Sequence, residues 1–533
     1  MMNAPTPSSG SLRWLWSATL LALLGLTAAN LLLGDLNQDE GWYLYAARQV
    51  QAGQQPYRDF AFTQGPVFPA VYGALYGVVR RFGVAGGRAL TALFGLGAVA
   101  LAGWIAARSV RAPAMRRAAA WMAVALAGVN VYQSYFTTVV KTYGLCALLL
   151  AAGVCALTFV RRARGGGWAA LAGGALLALA AGTRLSAIFA LPVAGCWLLD
   201  QRPRVVRATW LAFGLGALAG IYLVFVRPWL AAPEGVWFGL FEYHAGRELD
   251  SELQALALKA GFMSRVAQAY LAAALLALGL WIGPRRGAAD VPAAPRTGTG
   301  PLLGGIVLLI SLAHIAAPFP YDDYQAPVFP LAAAWLAVAW CDRWADRWSP
   351  RLAWGLLLAL LVAAGASPLL QNWFVRGRDR IWWRFKEKPD LLYLRDVAAG
   401  LKKEFPGNDR LLTQYTYLAV ECDWSVPPGF ELGPFSFYPA MPANRARTLR
   451  VLNGAGLEKA LAEAAAPVAA FSGYGLSIAS PAVEELSAVA QARWRARLLE
   501  RYEPRRVHPY FGQGHTPLEI FARRTPAAAG AAP

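Results

Sequence analysis

Trp14–Leu33 is a run of 20 residues without one charged side chain. As a helix, such a run is long enough to cross the ~30 Å hydrocarbon core of a bilayer. Ten more apolar segments follow, near Val67–Val79, Ala89–Ala107, Ala118–Val131, Thr137–Val160, Trp168–Leu199, Ala208–Val226, Phe262–Ile282, Leu302–Ala316, Val328–Trp340 and Leu352–Leu370. Lipid offers the backbone no hydrogen-bond partner, so each segment must satisfy its own amides, and a helix does so. The expected fold class is a polytopic α-helical membrane protein. Composition agrees, with 57% hydrophobic and only 15% charged residues, where soluble domains carry nearer a quarter charged. A cleavable signal peptide is the rival reading of the first run. The length of the run, and the want of a clean small-x-small site after it, weigh against that reading. Trp168–Leu199 is too long for one untilted helix, and "AGTRLS" in its middle reads as a hinge between two shorter ones. The expected count is about 11 to 13 spans.

The net charge of +19 invites a nucleic-acid partner, but the arrangement of the cations excludes one. They fall in short clusters at span ends: Arg80-Arg81, Arg108-Arg111-Arg116-Arg117, Arg161-Arg162-Arg164, Arg202-Arg204-Arg207 and Arg285-Arg286. Polytopic proteins anchor inner loops in this way, and no basic stripe with interleaved aromatics runs along a soluble domain. The partner these clusters imply is the lipid bilayer. One conflict arises. With a cytoplasmic N-terminus and strict alternation, the four arginines of 108–117 would face outward, against the positive-inside tendency. Either a short segment among 67–131 does not cross, or the tendency is broken. The five cysteines (Cys146, Cys155, Cys196, Cys341 and Cys422) form no CxxC pair, which disfavours a disulfide framework or a zinc-thiolate site.

After about residue 375 the pattern changes. "LLYLRDVAAGLKKEF" predicts an amphipathic helix, "RLLTQYTYLAVE" a buried strand, "AGLEKALAEAAAPVAAFSGYG" a helix then a strand, and "TPLEIFARR" a closing strand. The expected division is therefore a transmembrane domain over 1–375, with an outward, periplasmic first loop at 34–65, and a soluble, periplasmic α/β domain over 376–533 with no residue set that reads as catalytic. His508 and His515 lie too far apart in sequence, with too few partners, to nominate a metal site. The Ala/Pro-rich tail Thr525–Pro533 reads as disordered.

The carboxylates are distributed unevenly. Asp35, Asp39, Glu40 and Asp59 lie just after the first apolar run, and no acidic residue then occurs from Phe60 to Leu199. Asp39 and Glu40 begin a segment whose Trp42, Tyr43, Tyr45, Ala46 and Val50 suit a helix lying along the membrane interface. Asp39 fits the N-cap of that helix; it also fits a general base held where a polar acceptor meets a lipid-borne donor.

The stretch "DEGWYLYAARQVQAGQQPYRDFAFTQGP" directly after the first span, "TRLS" at a break in a middle span, "FEYHAGRE" after a later one and "PYDDYQAPVFPL" leading into another resemble the GT-C class of polytopic glycosyltransferases. The branch in question contains the protein O-mannosyltransferases, the aminoarabinose transferase of lipid A and the core galacturonosyltransferases. The resemblance implies a GT-C-like fold and transfer of a sugar from a polyprenyl-phosphate carrier to an acceptor hydroxyl on a glycan, lipid or protein, with inversion, at the outer face of the plasma membrane. It makes Asp39 the general base and Glu40 its companion. The leaving phosphate needs cations near it, the acceptor oxygen needs a carboxylate, and the sugar passes between them through an oxocarbenium-like state.

Two departures from the family pattern stand out. The position three after the first Asp is basic in the aminoarabinose branch and is Trp42 here. A second acidic residue expected in a later outward loop is replaced near its place by Lys141, within "SYFTTVVKTYGL". A divalent metal, the one cofactor in question, then has Asp59 as its candidate ligand, or Lys141 supplies the charge and pairs with phosphate directly. Arg184 interrupts an apolar run and is a phosphate ligand or a snorkelling helix-end residue. His244 and Arg247 are candidates for phosphate or acceptor contact. Tyr321, Asp322, Asp323 and Tyr324 are candidates for sugar hydroxyls or a helix cap. His314, on an apolar face, reads as structural. The alternative function is a transporter or flippase of a lipid-linked glycan, against which count the single copy of the 31–66 pattern and the large C-terminal domain. The absence of GxxxxGK[ST], HExxH and GxSxG motifs removes support for an ATP-driven pump and a membrane protease.

Overall fold

The computed structural model describes residues 9–161, 165–201, 205–245, 251–282, 298–344, 348–366, 387–472 and 486–524. Arg247 and the tail Thr525–Pro533 lie outside them. The chain is mostly helical. In order come α1 (Ser9–Leu33), α2 (Gln38–Gln51), α3 (Val67–Ala74), α4 (Tyr76–Phe82), α5 (Val84–Ser109), α6 (Arg116–Gly128), α7 (Val131–Phe136), α8 (Thr142–Leu157), α9 (Gly166–Ala181), α10 (Ala190–Asp200) and α11 (Arg207–Ile221).

Among the described residues, three helical stretches are long and apolar enough to cross a membrane: Arg13–Leu33, Val84–Ser109 and Arg207–Ala231. A fourth arises if Glu252–Ala269 and Leu271–Ile282, bent by 96° at Tyr270, count as one broken span. Shorter apolar helices accompany them, including Thr142–Leu157, Gly166–Ala181, Gly300–Ala316 and Pro350–Ala364. Apolar side chains on these helices point outward: Trp14 and Leu21 are each 73% exposed and Leu211 is 69% exposed. In a membrane protein that is the surface that meets lipid. The expected hinge within 168–199 is present. α9 ends at Ala181, a short 3-10 turn runs Leu185–Phe189, and α10 follows.

The apolar segment near Val67–Val79 becomes two helices of 8 and 7 residues, α3 and α4, meeting at Leu75. At 1.5 Å per residue each reaches only about 12 Å, too short to cross. With α1 and α5 as the two crossings, Arg108 and the arginines to 117 return to the side of the N-terminus. That arrangement would satisfy the positive-inside tendency.

Two compact units emerge. The first comprises Met1–Leu32, Ala89–Val226 and Leu249–Phe385; the second comprises Leu33–Arg88, Arg227–Glu248 and Lys386–Pro533. This division differs from a cut at residue 375, because the first loop and the segment before residue 248 pack with the C-terminal residues. In the first unit, α9 and α11 lie together along small residues, and Trp121 of α6 donates to Thr19 of α1 at 2.8 Å.

The second unit carries a four-stranded sheet in the order β1-β2-β4-β3. Its strands are β1 (Leu411–Leu412), β2 (Val468–Ser472), β3 (Tyr502–Phe511) and β4 (Thr516–Arg523). β1 pairs parallel to β2, while β4 pairs antiparallel to both β2 and β3, with Ala470 opposite Ile520 and Val507 opposite Glu519. The helices Asp390–Glu404, Gly454–Ala462 and Ala488–Arg501 complete an α/β arrangement. The expected helix at 390–404 and strands at 468–472 and 516–523 form. "RLLTQYTYLAVE" differs: only Leu411-Leu412 are strand, and Thr416–Cys422 is a helix. That short helix is nonetheless fully packed, with Tyr417, Leu418 and Ala419 at 1% exposure or less. Burial alone does not distinguish a strand from a helix over seven residues.

Candidate active site

The loop after α1 is built around one arginine. Arg88, in the first turns of α5, is 0% exposed. Its guanidinium donates to both carboxylate oxygens of Glu40, at 2.7 and 2.6 Å, and to the carbonyls of Gly34 at 2.8 Å and Asp35 at 3.0 Å. Glu40 is also 0% exposed. A buried charge is tolerated only when it is paired and hydrogen-bonded, and here the fork geometry of arginine satisfies both requirements.

Glu40 has a second task. Asn37 is the N-cap of α2: its side chain accepts the Asp39 amide at 3.0 Å, and the Glu40 carboxylate accepts the Asn37 amide at 3.0 Å. This reciprocal pair is a capping box. The N-cap is therefore Asn37, and Asp39 stands within the first helical turn instead. The pattern Asn37-Gln38-Asp39-Glu40 carries that signal in sequence. Arg88 carries another, as a lone charge directly before an apolar run.

Asp39 and Glu40 are thus adjacent but differently employed. Glu40 is enclosed, whereas Asp39 is half-buried and its Oδ1 accepts the indole Nε1 of Trp42 at 3.2 Å. The position that is basic in the aminoarabinose branch therefore presents a neutral N–H to the acid. An acidic residue in the first turn of α2 is also favoured by the helix dipole. Trp42 stacks on Tyr43 at 3.8 Å and meets Phe62 edge-on, so aromatic rings hold the turn from the other side.

The rest of the loop is fixed from two directions. Gly235 and Gly239 pack against it so closely that a Cβ on Gly239 would stand 2.1 Å from the Phe62 carbonyl oxygen, and one on Gly235 2.5 Å from that of Tyr57. One turn beyond, the His244 ring nitrogen lies 3.0 Å from the Thr63 carbonyl oxygen. His244 therefore buttresses the first loop. Asp59 pairs with Arg58 at 2.9 Å and accepts the Gln55 amide at 2.8 Å. The Arg58 hydrogen bond, with help from the Gln55 amide, holds the Asp59 carboxyl below the usual carboxylate range. Asp59 as a metal ligand would have to give up that arginine. From the C-terminal side, Asp390 accepts the Leu36 amide at 3.2 Å and Gln513 accepts the Gln38 amide at 2.9 Å.

Lys141, Arg184, Tyr321 and Tyr324 belong to the first unit, where they form one cluster. Lys141 is 7% exposed and pairs with Asp323 at 3.0 Å. The Arg184 guanidinium lies 4.6 Å from the ring centres of both Tyr143 and Tyr324, and Nη1 is 3.4 Å from the Thr142 hydroxyl. Tyr321 meets Tyr324 edge-on at 5.5 Å. Asp322 accepts the Tyr132 hydroxyl at 2.6 Å and Arg265 Nε at 3.0 Å. "YDDY" is therefore the counter-charged wall of the cationic cluster as well as the start of a short 3-10 turn, Asp322–Gln325. The Arg184 N–H groups lie in the guanidinium plane, the direction used in phosphate recognition, and the two nearby rings suit its cation. His314 contacts the Ser186 hydroxyl at 2.8 Å and Gln325 at 3.2 Å, a structural setting. Arg247 falls outside the described residues.

No protein-family model matches the chain, and no curated protein matches it in sequence. Solved structures do. ArnT from Cupriavidus metallidurans in the apo state aligns over 96% of this chain and 98% of its own, with a TM-score of 0.58 at 16% identity. The chain has the GT-C glycosyltransferase fold. ArnT bound to undecaprenyl phosphate matches over 99% of this chain and 100% of its own, at 15% identity and a TM-score of 0.58. An archaeal oligosaccharyltransferase from Archaeoglobus fulgidus aligns at a TM-score of 0.46 and 10% identity, covering 92% of this chain and 73% of its own. With the apolar helices, the GT-C fold makes this a membrane protein.

Proposed function

We propose that this GT-C chain is a membrane glycosyltransferase that moves a sugar from a polyprenyl-phosphate carrier to an acceptor hydroxyl at the outer face of the plasma membrane. The reading rests chiefly on the division of labour between Asp39 and Glu40. Arg88 and the capping box engage Glu40 in holding the loop, which supports Asp39 as the general base. Its carboxylate takes the acceptor proton as the acceptor oxygen bonds to the anomeric carbon and the carbon–phosphate-oxygen bond breaks. Attack opposite the leaving group inverts the anomeric centre. The electron pair leaves on the carrier phosphate, whose charge needs cations. Lys141 and Arg184 are assigned to that phosphate, with Asp323 and Tyr324 orienting them. Tyr321 is assigned to the sugar. His244 serves as a positioning residue through Thr63. The binding of undecaprenyl phosphate by the similar ArnT supports a lipid-phosphate donor, and the acceptor is a glycan, lipid or protein hydroxyl.

Envelope lipids and glycans from cells lacking the protein, complemented with wild type or with Asp39→Asn, provide the test by mass spectrometry. Wild type should restore one sugar mass on one envelope component. Asp39→Asn should accumulate in the membrane at wild-type level and lower transfer by about 10²–10⁴-fold, the usual contribution of a general base. Full restoration by Asp39→Asn would rule out the assigned base.

A further inference from the structure

Three segments far apart in the chain bring ligand-bearing side chains together in the second unit. Asp35 follows α1, Asp390 opens the helix Asp390–Glu404, and His515 stands in the turn between β3 and β4. One ligand atom from each lies within 4.8 Å of the other two. His515 Nε2 is 3.8 Å from Asp35 Oδ2 and 3.9 Å from Asp390 Oδ2. Those separations exceed the ~3.2 Å limit of a good hydrogen bond. They approach the spacing of ligand atoms around a shared cation: tetrahedral bonds of about 2.0–2.2 Å put ligands roughly 3.3–3.6 Å apart.

The surroundings favour a positive centre. The Asp35 side chain is 4% exposed and that of Asp390 12%. Two carboxylates converging in a largely enclosed place repel each other, and a cation held between them relieves that repulsion. The ligands are held in place beforehand. Arg88 fixes the Gly34 and Asp35 carbonyls, and the Leu36 amide donates to Asp390 Oδ2 at 3.2 Å, an outer contact that orients the carboxylate. The His515 side chain is 32% exposed, which leaves one side of the group open for entry and for a water ligand. Two carboxylate oxygens with one imidazole suit a borderline divalent ion better than the all-oxygen preference of magnesium or calcium.

We propose that Asp35, Asp390 and His515 bind one divalent transition-metal ion, zinc or manganese, which clamps the loop after α1 to the C-terminal helix and hairpin of the same unit. The site involves neither Asp39 nor Asp59 and does not depend on the assigned reaction.

The test uses the full chain purified in detergent, stripped with EDTA, and equilibrated with Zn²⁺ or Mn²⁺ separately. Metal per chain is measured by mass spectrometry, and the ligand shell of the zinc-loaded protein by X-ray absorption. Wild type should hold one ion per chain in a shell of nitrogen and oxygen. Asp35→Asn and His515→Ala should each weaken binding by more than about 100-fold, beyond the 10–100-fold that outer contacts contribute. His508→Ala, on the same hairpin but facing Tyr393, should bind as wild type. Wild type that takes up neither ion, a shell containing sulfur, or full uptake by both ligand variants would each overturn the proposal. If neither ligand variant can be purified folded, the wild-type stoichiometry and shell composition still decide it.

Discussion

Glu40→Gln should unfold the second unit far more readily than Asp39→Asn, although the two residues are neighbours. Glu40 and Arg88 are both fully enclosed, joined by contacts of 2.6 and 2.7 Å. Glutamine keeps the shape but replaces one acceptor oxygen with an amide donor, which then faces an arginine N–H. It also leaves the guanidinium charge enclosed without its counter-charge. Breaking a buried pair in this way costs about 3–5 kcal/mol. In a unit of this size, each kcal/mol lowers the midpoint by about 2–4 °C, so the expected fall is about 6–20 °C. Asp39 is half-buried, and the Trp42 Nε1 contact goes to an oxygen that asparagine retains. Asp39→Asn should stay within about 2 °C of wild type, as most substitutions away from buried networks do. The assay is thermal unfolding of the purified full chain in one detergent at one scan rate, since membrane proteins of this size unfold irreversibly. The double variant Glu40→Gln/Arg88→Gln should cost less than the sum of the single ones by about 0.5–3 kcal/mol, because both remove the same pair. A Glu40→Gln midpoint within about 2 °C of wild type, or additive single and double effects, would refute the argument that this pair anchors the loop.

Two other outcomes follow from the same unit. Glu431 is enclosed, and burial pushes its carboxyl up to about 7, against the opposing pull of backbone amides and Arg450. The folded state therefore keeps a proton that the unfolded chain releases near 4.5, and stability from this group falls as pH rises through that window. Glu431→Gln should stabilise the protein at pH 8 by at most about 3 kcal/mol and change little at pH 4.5, measured by melting midpoints across pH. Gly239→Ala places a methyl against the Phe62 carbonyl and should destabilise by about 1–3 kcal/mol while lowering sugar transfer, because it displaces the loop carrying Asp39; unchanged transfer would mean the loop tolerates that shift.

Much of the architecture was legible in the sequence. Long uncharged runs can only be helices in lipid, and the hinge at "AGTRLS" follows from a run too long for one span. The C-terminal α/β character follows from its change of period. The run Val67–Val79 misled because hydropathy does not register a break at Leu75. The strand expected in "RLLTQYTYLAVE" misled because full burial erases the difference between the two periods. At the site, the sequence by itself determined the local features: the acidic turn after α1, the Asn37–Glu40 capping pattern and the charges interrupting apolar segments. Only the tertiary structure decided which of the two carboxylates is enclosed and paired. That depends on Arg88, 48 residues from Glu40, and on the carbonyls it reaches. Likewise Lys141 meets Asp323 across 182 residues, and His515 meets Asp35 across the length of the chain. Charge pairing and metal ligation act over a few ångströms of space, and local sequence patterns carry no record of which distant segments the fold brings within that range.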